Sequence, residues 1–426
     1  MAVTATDIHR TIQAVFRIEQ AKLIASLARI TRDVGLAEEL AQHALVAALE
    51  EWPRTGVPEK PGAWLTASAK HRAIDHFRRM RLAERKHDEI GQDQQSLQQH
   101  LERDMPDFDS ALDDDIGDDL LRLIFTACHP VLSPEARAAL TLRLLGGLTT
   151  DEIARAYLVA EPTIAQRIVR AKRTLADEKV PFEVPRGAEL AARLSSVLEV
   201  IYLIFNEGYS ATKGDDWMRP QLCEEALRLG RILAELAPEE AEVHGLVALM
   251  EIQASRTEAR TGPDGEPILL LNQNRAQWDQ LLIRRGLAAL ARAESLSSSP
   301  GRYVLQAAIA ACHARATKAE VTDWSRIAAL YDVLAALEAS PVVELNRAVA
   351  HSMKSGPQAG LDLTDALLEE EALKAYYLLP SVRGDFLVKL GRLAEAEKEF
   401  RRAASLTQNA RERSFLLGRA EACRAA

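Results

Sequence analysis

Apolar residues recur at spacings near four along most of this chain. Leu36, Leu40 and Ala44 form one such series, and Leu65, Ala69, Ala73 and Phe77 form another. That is the stripe a helix buries. Between the two lies WPRTGVPEKPGAW, whose Pro and Gly residues force a break. Helical periodicity returns over 120–180 and again over 186–426, with short breaks at Asn206–Asp215, Thr261–Glu266, Ser297–Gly301 and Lys354–Gly360. Period-two alternation of useful length is absent, so the pattern predicts an all-α fold.

Composition agrees. Aromatics make up only 5% of the residues, and Ala, Leu, Arg and Glu dominate, a bias towards packed helices over sheets. The length of 426 residues fits about three domains. Residues 6–81 form a first helical module and 120–180 a second. Residues 82–119 differ, with 13 acids against 3 bases and a QDQQSLQQH run, which reads as an acidic, solvated linker. Residues 186–426 are the long array.

Charge narrows the function. The net charge of −9 excludes a chain that coats nucleic acid along its whole length, so any such surface is local. Four scattered cysteines, Cys128, Cys223, Cys312 and Cys423, show no metal or disulfide spacing and suit a reducing cytosol. The N-terminus has no signal-peptide pattern. The longest apolar stretch, Val197–Phe205, contains Glu199 and is too short for a membrane. The expectation is a cytoplasmic protein with no membrane contact. No Ser-His-Asp order, metal cluster or phosphate loop stands out, so neither catalysis nor a cofactor is expected.

The most informative local motif runs from Leu148 to Leu175. Thr149 or Thr150 can cap a helix, with Asp151 and Glu152 near its positive end. A short turn, Leu158–Ala160, follows, and Pro162 suits the first turn of a new helix. On that helix Ile164, Ile168 and Leu175 are apolar, while Arg167, Arg170, Lys172 and Arg173 oppose only Glu161. This is a helix-turn-helix pattern whose second helix fits the DNA major groove. Thr163, Gln166 and Arg167 are candidates for base edges. Arg170, Lys172 and Arg173 are candidates for phosphates.

The first module contributes a second basic helix, Ala63–Arg79. Lys70, Arg72, Arg78 and Arg79 stand against Asp75 alone, with Trp64 and Phe77 among them. Cations mixed with aromatics suit opened single strands, although a Trp and a Phe at helical spacing more often belong to a core. The preceding helix, Asp33–Leu49, places Glu38, Glu39, Gln42 and His43 opposite its apolar face.

In this order the elements resemble region two of extracytoplasmic-function sigma factors, and the helix-turn-helix resembles their region four. The resemblance covers residues from about 6 to 180. It implies that Asp33, Glu38, Glu39 and Gln42 contact core RNA polymerase. It implies that Lys70, Arg72, Arg78 and Arg79 meet the minus-ten element of promoter DNA, and that the helix from Glu161 to Leu175 binds the minus-thirty-five element. Leu45 stands where the family usually has an aromatic, and His43 where it often has an acid.

Beyond residue 186 the segment Asp385–Asn409 matches the second half of a tetratricopeptide unit through Leu390-Gly391-Arg392, Ala396, Phe400, Ala403 and Leu406. Weaker echoes begin at Glu224 and Leu345, so the array is degenerate. Three other segments resemble the long-extension subgroup of these sigma factors: Tyr202–Ala211, Leu269–Ile283, and Leu305–Ala316 followed by Thr322–Trp324. That subgroup reads QDR before its Trp, whereas this chain reads Gln273-Asn274-Arg275. Asn206, Glu207, Tyr209, Arg275, Trp278, His313, Asp323 and Trp324 either line a groove for a peptide, a ligand or the sigma modules, or are buried polar anchors between helices. The resulting expectation is a promoter-specificity factor modulated by its array. The alternative is a DNA-binding regulator with a ligand- or partner-sensing helical domain, which would not need the Asp33–Arg79 module.

Overall fold

The computed structural model describes residues 5–88, 116–157, 159–210, 218–262 and 266–425. Among them the fold is all-α, as the periodicity predicts, with an isolated bridge between Thr261 and Pro267. The chain divides into two compact units. One comprises Met1–Arg155 and Val159–Val200, the other Ala156–Leu158 and Ile201–Ala426.

The first unit opens with α1 (Ala5–Thr31), α2 (Val34–Thr55) and α3 (Pro61–Asp88). Their facing positions are rich in alanine: Ala25, Ala28, Ala37, Ala41, Ala44, Ala48, Ala69 and Ala73 are all buried. Small side chains let the axes approach closely, and Leu23, Ile24, Leu27, Trp52 and Leu65 fill what remains. Asp33 caps α2, its carboxylate accepting from the backbone N–H of Gly35 at 2.7 Å and of Leu36 at 3.0 Å. The expected break comes later than Trp52. The helix runs through Pro53 and stops at Gly56, whose φ of 86° suits glycine and whose N–H donates to the Trp52 carbonyl.

Then come α4 (Ile116–Ala127), α5 (Pro134–Leu144), α6 (Thr150–Tyr157) and α7 (Glu161–Asp177). The expected linker is shorter at both ends than 82–119, because α3 runs to Asp88 and α4 starts at Ile116. Asp119 is a buried residue of α4 rather than a solvated one. The rest of the linker lies outside the described residues. Cys128 and His129 follow the end of α4, as a helix terminus before Pro130 should.

The long helix α8 (Ala188–Tyr209) was expected to belong wholly to the array, yet its first part through Val200 packs with the first unit. Arg193 donates to the Phe125 carbonyl at 3.0 Å, and Ser196 donates to the Cys128 carbonyl at 2.7 Å. These side chains satisfy carbonyls that the end of α4 leaves without helical partners.

The second unit continues as paired helices: α9 (Pro220–Leu236), α10 (Ala241–Ala254), α11 (Gln280–Leu296), α12 (Arg302–Arg315), α13 (Trp324–Leu337), α14 (Pro341–Ser355), α15 (Pro357–Asp365), α16 (Leu378–Lys389), α17 (Leu393–Leu406) and α18 (Ala410–Ala425). The tetratricopeptide-like segment folds as a helix pair, α16 and α17, turning at Gly391 with φ 75°. Ala396, Phe400 and Ala403 are fully buried between the helices. Gly384 makes room for the Phe400 ring, since a Cβ there would come within 2.7 Å of it.

Candidate functional site

In the helix-turn-helix, Thr149 and not Thr150 is the cap, and it works with Glu152. The Thr149 N–H donates to the Glu152 carboxylate at 2.7 Å, and the Glu152 N–H donates back to Thr149 Oγ1 at 3.1 Å. This reciprocal capping box fixes the start of α6. Ile153 and Ala154 are buried beneath it. On α7, Ile164, Ile168, Ala171 and Leu175 turn inward.

The opposite face of α7 presents a stripe. Thr163, Gln166, Arg170 and Arg173 are exposed at spacings of three, four and three, and Arg167 beside them is half-buried. Arg173 pairs weakly with Asp177 at 3.4 Å, both well exposed. Five of the six residues expected to meet DNA on this helix therefore share one side.

Lys172 does not share it. At 3.6 residues per turn it sits about 180° around the axis from Thr163, and its ammonium pairs with Glu38 of α2. The other oxygen of Glu38 accepts from Arg143 Nε at 2.6 Å. Glu38 is only 4% exposed. Two expectations are corrected together: Glu38 is not a surface residue free for a polymerase, and Lys172 is not a free cation aimed at phosphate. They hold α2 against α7. The other expected polymerase contacts sit differently. Glu39 is exposed, Gln42 is half-buried, and Asp33 is exposed but engaged as the cap of α2.

On α3, Arg78 and Arg79 are exposed and Lys70 and Arg72 half-buried. Arg79 Nε donates to the Asp75 carbonyl at 3.2 Å, and Arg78 lies 3.9 Å from the Asp75 carboxylate. Trp64 packs edge-on against the buried Trp52 with centroids 5.4 Å apart, so it serves the core.

The chain matches the models for sigma-70 region 2 over residues 15–82 and sigma-70 region 4 over residues 122–175. It is also 42% identical over 398 residues to an uncharacterized protein of Rhizobium meliloti (strain 1021), covering 92% of this chain and 91% of that relative. The chain belongs to the sigma-70 family. A family of unknown function (DUF6596) matches residues 193–294, so this sigma-70 chain carries a C-terminal extension behind its two sigma regions. Sigma-70 regions 2 and 4 make it a transcription initiation factor that binds core RNA polymerase and promoter DNA. No helix among the described residues is long and apolar enough to cross a membrane.

In the extension of this sigma-70 chain, seven of the eight expected groove residues are buried or half-buried, and Asp323 is exposed. Trp278 and His313 are 3% and 8% exposed. Arg275 donates to the carbonyls of His313 and Ala316, the latter at 2.7 Å, and to Thr322 Oγ1 at 3.2 Å. The His313 ring meets Trp324 edge-on at 5.2 Å. Asp323 is spent as the cap of α13, accepting from Arg326 N–H at 2.9 Å. Glu207 pairs with Arg219. Asn206 sits in the last turns of α8, where its backbone carbonyl accepts from Ser210 N–H at 2.8 Å.

Sequence reading missed Arg256 and Arg260, which connect these residues. Arg260 lies over the Tyr209 ring at 3.4 Å from its centroid. Arg256 lies between the two aromatics, 5.7 Å from Tyr209 and 5.9 Å from Trp278. Burial pushes Arg260 down to about 10. Burial, and then Arg256 and Arg275, push His313 down to about 4, so its ring is neutral at pH 7. Neither arginine belongs to a periodic stripe. Both lie in the short turn after α10, where helical spacing carries no signal.

Proposed function

We propose that this sigma factor is of the extracytoplasmic-function type, acts in the cytoplasm, and directs initiation at promoters of its own with no catalytic role. The observation that carries the reading is the exposed stripe on α7, Thr163, Gln166, Arg170 and Arg173. It sits on a helix entered through a capped helix-turn-helix and follows a sigma region 2 module in the same chain. Gln166 and Thr163 supply hydrogen-bonding groups for base edges in the major groove, and Arg167, Arg170 and Arg173 supply charge for bases and phosphates. Lys70, Arg72, Arg78 and Arg79 of α3 face the opened minus-ten strand, and Asp33, Glu39 and Gln42 of α2 face the polymerase. The extension modulates this activity.

Reconstitution tests the reading. The full chain with core RNA polymerase should give discrete transcripts from a promoter that lacks housekeeping elements. Failure to associate with core enzyme overturns the proposal. Transcription that survives Gln166→Ala and Arg167→Ala with unchanged promoter choice removes α7 as the reader of the upstream element.

A further inference from the structure

Around Trp278 the second unit collects positive charge and unused hydrogen-bonding groups. Trp278, His313 and Gln273 are 3%, 8% and 9% exposed, yet Trp278 Nε1, His313 Nδ1 and Gln273 Oε1 make no hydrogen bond with any described residue. Arg256 Nε and Arg275 Nε, also buried, make none either. Each such group costs about 1–3 kcal/mol when left without a partner. Those of Arg256, Arg275, Trp278 and His313 share one neighbourhood, an unusual concentration, because native folds pair nearly all of their buried polar atoms.

The charges are as unbalanced as the hydrogen bonds. The guanidinium carbons of Arg256 and Arg275 lie 5.9 Å and 4.8 Å from the centroid of the same Trp278 ring. Arg256 forms no ion pair with any described residue, and the hydrogen bonds of Arg275 go to neutral oxygens. The one carboxylate that acts on Arg275 is Glu320, which makes no ion pair with it. Asp279, the nearest acid in the segment, is spent capping α11 through Leu281 and Leu282. Two arginines therefore repel one another beside a neutral imidazole, and neither forms an ion pair with a described residue.

We propose that this cluster binds the oxyanion group of a small ligand, a carboxylate or a phosphate. Arg256 and Arg275 supply the charge, Trp278 Nε1–H orients the group, and His313 Nδ1–H adds a neutral donor. Charge-assisted N–H donors of this kind make the strongest hydrogen bonds to oxyanions. The anion would satisfy the orphaned donors and remove the arginine–arginine repulsion in one step. The site rests on the extension alone and stands or falls independently of promoter recognition.

The test is a titration of the full chain with inorganic phosphate and, separately, with succinate, against sodium chloride at matched ionic strength. The readouts are the thermal midpoint and the Trp278 Nε1–H resonance, assigned through Trp278→Phe. At least one oxyanion should shift that resonance saturably and raise the midpoint, while chloride does neither. The tighter of the two identifies the ligand class. Arg256→Gln removes one charged hydrogen bond and should weaken binding about ten- to a hundredfold, and Trp278→Phe should weaken it while keeping the ring. Absence of a saturable shift with either oxyanion overturns the proposal. So does binding that both variants leave intact.

Discussion

Buried charge is handled in opposite ways at two places, one in each unit, although the second unit also pairs buried Glu251 with Arg231 at 2.8 Å. In the first, each buried carboxylate meets two cations. Glu38 faces Arg143 and Lys172, and Asp119, 1% exposed, faces Arg29 at 2.9 Å and Arg122 at 2.7 Å. In the second, Arg256 and Arg275 both lie over the Trp278 ring, and the hydrogen bonds of Arg275 go to carbonyls and a hydroxyl. A compensated cluster holds segments together, because each partner satisfies the desolvated charge of the other. An uncompensated one is stable only at a cost, and such sites concentrate where a ligand binds.

The sharpest way to break this contrast is to remove the carboxylate from the compensated side. Glu38→Ala strands Arg143 and Lys172 next to an emptied position and should destabilise the first unit by about 3–5 kcal/mol, the usual cost of breaking a buried pair from one side. Limited proteolysis of the helices around α2 and α7, together with urea unfolding, reads the loss. The double variant Glu38→Ala, Lys172→Ala should recover part of it. A change below about 1 kcal/mol would place the pair with ordinary surface ion pairs.

On the uncompensated side the expected effect depends on pH. The folded pKa of His313 is depressed to about 4 from an ordinary value of 6.5. Between those values the unfolded chain binds a proton that the folded chain does not, so stability rises with pH across that window. The contribution is fully present above about pH 6.5 and is lost as the pH falls towards 4. A depression of this size corresponds to about 3 kcal/mol. His313→Gln should flatten that part of the stability–pH curve. An unchanged slope in the variant would show that His313 titrates normally and that its surroundings carry no excess positive charge.

Much of the first unit was legible in the sequence because its helices obey a single period. Leu65, Ala69 and Ala73 sit where the stripe predicts, and Pro162 starts α7 where it should. What the stripe cannot show is which face meets which partner. Glu38 falls beside the apolar line of α2, and its burial depends on Arg143, 105 residues further on. Lys172 belongs to the same basic run as Arg170 and Arg173, and only the rotation of the helix separates them. In the extension, residue types drew attention to Trp278 and His313, but the burial of Trp278 was hidden because it follows two short 3-10 turns, Leu270–Asn272 and Arg275–Gln277, without a repeating face. Arg256 had no pattern to mark it at all.

The smallest predicted effect separates two lysine-or-arginine roles that look alike in one dimension. Arg170 is exposed on the stripe, whereas Lys172 spends its charge on Glu38. Each phosphate neutralised by a cation contributes about one to the slope of log binding constant against log salt. In holoenzyme bound to its promoter, Arg170→Ala should therefore lower that slope by about one. Lys172→Ala should leave it unchanged, and should act through the stability of the α2–α7 contact instead. If Lys172→Ala flattens the salt dependence as much as Arg170→Ala does, the Glu38 pair must open when the factor engages DNA. The compensated cluster would then be a latch released by the promoter complex, not a permanent part of the core.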